Sequence, residues 1–246
     1  FMFGEYGFGK PWDSRTVQYA NHSGMSILDF GLCDAIRFAF SGQQEGGFRL
    51  IEALLEHDHV YYRANELVTF IDNHDMPRFL SICNSHRSLE QALILLFCLR
   101  GVPCIFYGTE QYLVNNTDGG NDPYNRPMME SWDSSSSCYN LLDTLISVRR
   151  QNQALTFGSH QQIYVSENIY AFIRSYRDCH ALCVLNKGPS VEITLSLGGR
   201  FSESEITCML TGSTFSIADD RLSLTLDSGL AYLFSSPGQR VAGEVV

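Results

Sequence analysis

No two of the 8 cysteines in this 246-residue chain stand in a C-x-x-C arrangement, and no histidine lies at metal-finger spacing from any of them. That disfavours a zinc site. The chain is also too long to read as a disulfide scaffold. The thiols at 33, 83, 98, 104, 138, 179, 183 and 208 therefore read as buried free cysteines, and the redox compartment stays open. Cys179 and Cys183, four apart in a predicted strand, share a face.

Positive charge is scarce too. With 17 Lys and Arg against 27 Asp and Glu, the net charge is −10, which argues against nucleic acid or an anionic membrane as the main partner. Neutral ligands such as sugars are not disfavoured. No apolar run is long enough to span a bilayer; ALILLFCL, residues 92–99, is far too short. There is no signal peptide and no internal repeat. The chain opens at Phe1, inside the apolar segment FMF, so it reads as processed or as a fragment, and the missing signal says nothing about secretion.

What remains is an ordinary globular composition, 44% hydrophobic and 18% charged, with length for one large domain or two smaller ones. Aromatics reach 12%, which suits a core first and a sugar site second.

The first part alternates strand-like and helical patterns. Residues 1–3 read as a strand end, 25–28 and 67–71 as short apolar strands, and 102–107 as a strand opened by Gly101. Helical spacing marks 32–40, 48–55, 89–99 and 141–146. Such alternation predicts parallel βαβ units. After about residue 154 the pattern becomes short, often alternating runs between Gly, Asn, Asp and Ser turns, as in QQIYVSENIYAFIRSY, ALCVLNKG and LSLTLDSG. That predicts an antiparallel β domain. The expected division is 1–153 for the α/β part, 154–236 for the β domain and 237–246 for a loose tail.

In parallel α/β folds the working groups sit at the carboxyl ends of strands. Glu5 follows FMFG, and Asp75 follows the apolar run 67–71 within FIDNHDMPRF. Two carboxylates at neighbouring strand ends suit glycoside hydrolysis, one as proton donor and the other as an ion facing a cationic transition state. Taken alone, Glu5 reads equally as an exposed loop acid, Asn73–His74–Asp75 as an Asx turn, and His74 as a structural histidine. GGNDPYNRP, 119–127, is turn-rich. Its Asp122 and Arg126 either bond sugar hydroxyls or pair with each other.

The motifs FMFGEY, NHSGMSILDF, FIDNHDMPRF, RGVPCIFYGTEQ and GGNDPYNRPMM stand in one order along residues 1–155. In that order the chain resembles the C-terminal half of the α-amylase family, glycoside hydrolase family 13. It is most similar to the branch of cyclodextrin glucanotransferases and bacterial α-amylases. The resemblance implies α/β plus all-β architecture: strands 5–8 of a TIM (β/α)8 barrel followed by an antiparallel β-sandwich. It implies that Glu5 is the general acid/base. His74 and Asp75 would bind the reacting glucose, with Asp75 stabilising the transition state and helping keep the acid protonated. Asp122 and Arg126 would hold a sugar on the donor side. The family's nucleophile, an Asp on strand 4 two residues after an Arg, has no counterpart in this sequence. The chain alone is therefore expected to be inactive. It would need the missing N-terminal half-barrel, and to self-associate or dissolve poorly without it. No metal ligand or cofactor is expected within the chain, while the resemblance allows calcium in the full-length enzyme.

The implied substrate is an α-1,4-glucan or maltooligosaccharide. Cyclodextrin-forming relatives carry an aromatic two residues after the acid/base; here that position is Gly7, between Tyr6 and Phe8. The departure favours hydrolysis over transglycosylation. A non-catalytic partner with an amylase fold, such as the heavy chains of amino-acid transporters, is the other class. A scaffold has no need of all five site residues. The location stays open, and the resemblance is compatible with secretion or the periplasm.

Overall fold

The computed structural model describes residues 1–7, 12–115 and 126–236. The expected loose tail, 237–246, lies outside the described residues.

The first part runs β1 (Phe3–Gly4), α1 (Ser14–His22), β2 (Ser26–Ile27), α2 (Phe30–Ser41), α3 (Arg49–Leu55), β3 (Val68–Thr69), α4 (Phe79–Cys83), α5 (His86–Cys98), β4 (Val102–Pro103), α6 (Ser137–Gln151) and α7 (Gln153–Phe157). β1 pairs in parallel with β2, Leu28 bridges Val68 in parallel, and β3 pairs in parallel with β4. Four parallel strands joined through helices make a partial (β/α)8 barrel.

Local chemistry sets the helix ends. The Asp29 carboxylate accepts from Leu32 N–H at the start of α2, which stops at Gly42 in the left-handed region (φ 69°). Ser85 Oγ accepts from Ser88 N–H to open α5. Gly101 enters β4 at φ 99°, where an added Cβ would lie 2.4 Å from Thr69 Cγ2, so only glycine lets β4 approach β3.

The second part is β5 (Ser159–Val165), β6 (Ile169–Tyr176), β7 (Cys179–Asn186), β8 (Val191–Ser196), β9 (Glu205–Thr207), β10 (Thr214–Ala218), β11 (Arg221–Leu226) and β12 (Ala231–Ser236). They form two antiparallel four-stranded sheets, ordered β12-β7-β6-β5 and β8-β11-β10-β9. Ile173, Leu182, Val184, Leu195, Leu222 and Phe234 fill the space between them. β11 alternates exposed and buried residues, as a strand with one wet face must. β6 and β7 are apolar on both faces. The second face of their sheet (Tyr170, Phe172, Cys183, Leu185, Leu233) shares one core with Leu89, Leu93 and Leu96 of α5.

Three buried arginines gather where α5 turns into β4. Arg149 of α6 donates to Phe97 O (2.5 Å), Leu99 O (3.2 Å) and Gly101 O (2.5 Å). Arg174 of β6 donates to Cys98 O (3.3 Å) and Gly158 O (2.6 Å). Arg100 is held by Asp29 (2.5 Å) and by both oxygens of Asp58 (2.7 and 2.6 Å). Burial opposes its charge, and the two carboxylates more than offset that, raising its pKa.

Beside this junction, His160 Nε2 lies 3.0 Å from Tyr170 Oη. Burial, with the charges of Arg174 and Arg100, pushes the imidazole pKa down to about 3. The unfolded chain takes up this proton below about pH 6.5, the folded chain only below about 3. Stability is therefore full above that window and falls as pH drops through it. His160→Gln is expected to flatten the acid limb of a stability–pH curve by up to about 1.4 kcal/mol per pH unit. Urea titrations at stepped pH measure this, and an unchanged limb would place the titrating group elsewhere.

Several sequence expectations need correction. The strand expected over 102–107 is paired only at Val102–Pro103: the Val102 and Cys104 N–H groups donate to Leu67 O and Thr69 O, and the chain then turns away. The cysteines are not uniformly buried: Cys104 is exposed, and Cys83 and Cys179 are half-buried. Helices α1, α4 and α7 and strand β10 carry no clear sequence signal. The apolar positions of α1 are few, α4 and α7 have only 5 residues each, and β10 is short.

Candidate active site

Glu5 is exposed, one residue past β1. The next side chain, Tyr6, turns onto α1, its ring stacked on Tyr19 at 4.0 Å and 12°. A Cβ added at Gly7 would meet Phe30 Cδ2 at 3.4 Å. Tyr6 is thus spent on helix packing.

The segment after β3 is pinned at its base and open at its tip. Phe70 and Ile71 are buried. Arg37 Nη1 of α2 donates to Ile71 O and Pro77 O, 3.1 Å each, closing the two ends of the loop. Asp72 Oδ2 accepts from Phe79 N–H at 2.8 Å. Burial raises the Asp72 pKa, while that N–H and the Arg78 and Arg37 charges pull it down. Asn73 Oδ1 accepts from Asp75 N–H at 2.8 Å, the Asx turn that the residue types allowed. The turn lifts His74 and Asp75 out of the core. Their side chains stay 42% and 44% exposed, with His74 Nε2 3.3 Å from Asp75 Oδ1. The turn reading is thus compatible with the site reading.

Parallel pairing places the end of β1 and the end of β3 on the same side of the sheet. Only β2 stands between them, so β1 and β3 run about two strand spacings, roughly 10 Å, apart. Arg126 is exposed, and the loop it opens is tied to the end of β4 where Tyr107 Oη donates to Pro127 O at 2.8 Å. Asp122 lies outside the described residues.

Two residues at this site were missed in the sequence. Arg78 and Arg37 brace the loop from opposite sides. The one legible signal was an arginine inside an apolar stretch, as in PRFL. Among the described residues, no three His, Cys, Asp or Glu side chains converge to hold a metal ion. Among the same residues, no helix is long and apolar enough to cross a membrane.

Comparison with known proteins gives two family matches: "Alpha amylase, catalytic domain" over residues 47–137, and "Maltogenic Amylase, C-terminal domain" over residues 161–233. The first takes in His74, Asp75 and Arg126 but not Glu5. A cyclomaltodextrin glucanotransferase of Thermoanaerobacterium thermosulfurigenes is 35% identical over 227 residues, covering 89% of this chain and 31% of that protein. An α-amylase of Niallia circulans is 38% identical over 188 residues, covering 76% of this chain and 35% of its own length. The crystal structure of CldA, a cyclomaltodextrin glucanotransferase with a three-domain ABC distribution, superposes with a TM-score of 0.88 at 37% identity, covering 96% of this chain and 50% of that one. The chain spans about a third of the length of these curated relatives.

Proposed function

The chain belongs to the α-amylase family, glycoside hydrolase family 13, and we propose that it is the C-terminal portion of a retaining enzyme that hydrolyses α-1,4-glucosidic bonds of starch or maltooligosaccharides. The supporting observation is that Glu5 and the His74–Asp75 turn follow the carboxyl ends of β1 and β3, parallel strands with β2 alone between them.

In this reading Glu5, as the acid, protonates the glycosidic oxygen as the bond breaks. As the carboxylate, it then takes a proton from the attacking water. Asp75 and His74 hydrogen-bond sugar hydroxyls. The Asp75 charge also favours the positive ring of the transition state. Arg126, with Asp122, holds a sugar further along the donor side. The nucleophilic carboxylate comes from the remainder of the barrel, so this chain alone turns nothing over. We place the division between barrel and β domain at residues 153 and 154.

A second reading, transglycosylation, is favoured by the names of the relatives. Against it stands Gly7, with Tyr6 turned away onto Tyr19. Incubating the complete enzyme with maltohexaose and separating the products decides between them. Shorter linear oligosaccharides are expected. Cyclic products would install the second reading, and no turnover at all would remove both.

A further inference from the structure

We propose that Arg78 is a positioning residue whose guanidinium holds the His74–Asp75 turn against the loop that carries Arg126. The inference rests on the reading of those three residues as sugar ligands and adds to it the group that sets their spacing.

Arg78 is 1% exposed, which is rare for an arginine without a close carboxylate partner. Its guanidinium carbon lies 4.0 Å from the centroid of Phe106 and 5.0 Å from that of Tyr107. Nη2 donates to Tyr107 O at 2.6 Å. Nη1 is 4.0 Å from Asp72 Oδ1, an ion pair too long for a hydrogen bond. Nε and Nη1 make no hydrogen bond within the described residues. A buried cation so thinly supplied with acceptors is costly to keep, and burial accordingly lowers its pKa. Packing alone would be served by methionine or leucine at this position.

What the guanidinium does that an apolar chain does not is join two loops. On one side it faces Asp72, the residue from which the His74–Asp75 turn springs. On the other it grips the backbone of Tyr107 and the face of Phe106. The Phe106 ring in turn lies 6.3 Å from the His74 ring, and the Tyr107 hydroxyl holds Pro127, next to Arg126. One side chain therefore touches the supports of His74, Asp75 and Arg126 while standing behind all three. Cation–π contact and a hydrogen bond both have directional demands, so the spacing between the loops is set more tightly than by apolar contact.

The test uses the complete enzyme, with Arg78→Met, Arg78→Lys and Phe106→Leu. The last removes the ring under the guanidinium while keeping an apolar side chain, and it decides the matter if Arg78→Met does not fold. Two readouts are taken: kcat and KM for maltohexaose, and the imidazole resonance of His74 in histidine-labelled protein, assigned with His74→Gln. Arg78→Met is expected to lower kcat/KM roughly tenfold, mostly through KM, as a sub-ångström shift of binding groups does. Phe106→Leu should act in the same direction, Arg78→Lys should restore part of the loss, and the His74 resonance should move in both loss variants. A lowered melting temperature with KM and the His74 resonance unchanged would overturn the proposal, because Arg78 would then serve stability alone. If the resonance moves while neither Arg78→Met nor His74→Gln alters turnover, Arg78 positions the turn as proposed. In that event it is the assignment of the turn to sugar binding that falls.

Discussion

Glu5→Gln in the complete enzyme is expected to slow maltohexaose hydrolysis by about 10²–10⁴-fold, the usual worth of a general acid. Maltooligosaccharide binding should stay within about twofold, since glutamine keeps the shape and hydrogen-bonding reach of the side chain. Glu5 is exposed and follows a two-residue strand, so no core is disturbed. The melting temperature should accordingly hold, because surface substitutions of this kind cost within about 0.5 kcal/mol. Together these three outcomes separate chemistry from folding. Turnover that survives the substitution would mean that another group delivers the proton.

The largest loss of stability is expected at the α5–β4 turn. Arg149→Met keeps the length of the side chain and removes its donors. Phe97, Leu99 and Gly101 then lose the group that satisfies their carbonyls at the buried end of α5. Each stranded acceptor costs about 1–3 kcal/mol. Relief from burying a cation, visible in an Arg149 pKa lowered to about 10, offsets part of that. A net loss of roughly 3 kcal/mol is expected. In a chain of this size that is a drop of about 6–12 °C in melting temperature. Denaturant titration gives the free energy directly. A loss below about 1 kcal/mol would mean that the carbonyls find other donors when the arginine goes.

How far the sequence foretold this can be judged residue by residue. The His74–Asp75 turn was legible because an apolar strand runs straight into it, and strand ends carry function in this architecture. Short, often alternating runs between Gly, Asn, Asp and Ser turns announced the β domain. Arg78 was legible only as an arginine inside the apolar stretch PRFL. Its partners are the ring of Phe106 and a backbone carbonyl at Tyr107, 28 and 29 positions away, and neither leaves a pattern in the chain near Arg78. Arg149 and Arg174 were hidden for the same reason: arginines that cap carbonyls look like arginines on a surface. The short helices α4 and α7 escaped because one turn of helix has no period to detect. Cys104 was misread since the residue type favours burial, whereas it shares an exposed strand face with Val102.

The sheet β12-β7-β6-β5 is covered on both faces, by its partner sheet and by α5. The β domain is consequently not a detachable module. A chimera that exchanges residues from β5 onward between relatives would set a sheet cut for one helix against the α5 of another. Tyr170, Phe172 and Leu233 would meet strangers in place of Leu89, Leu93 and Leu96. The unit that must travel together therefore crosses the boundary that the change of sequence pattern suggests, because α3 packs on the same β domain through Phe48 on Tyr170 and Glu52 on Gln162.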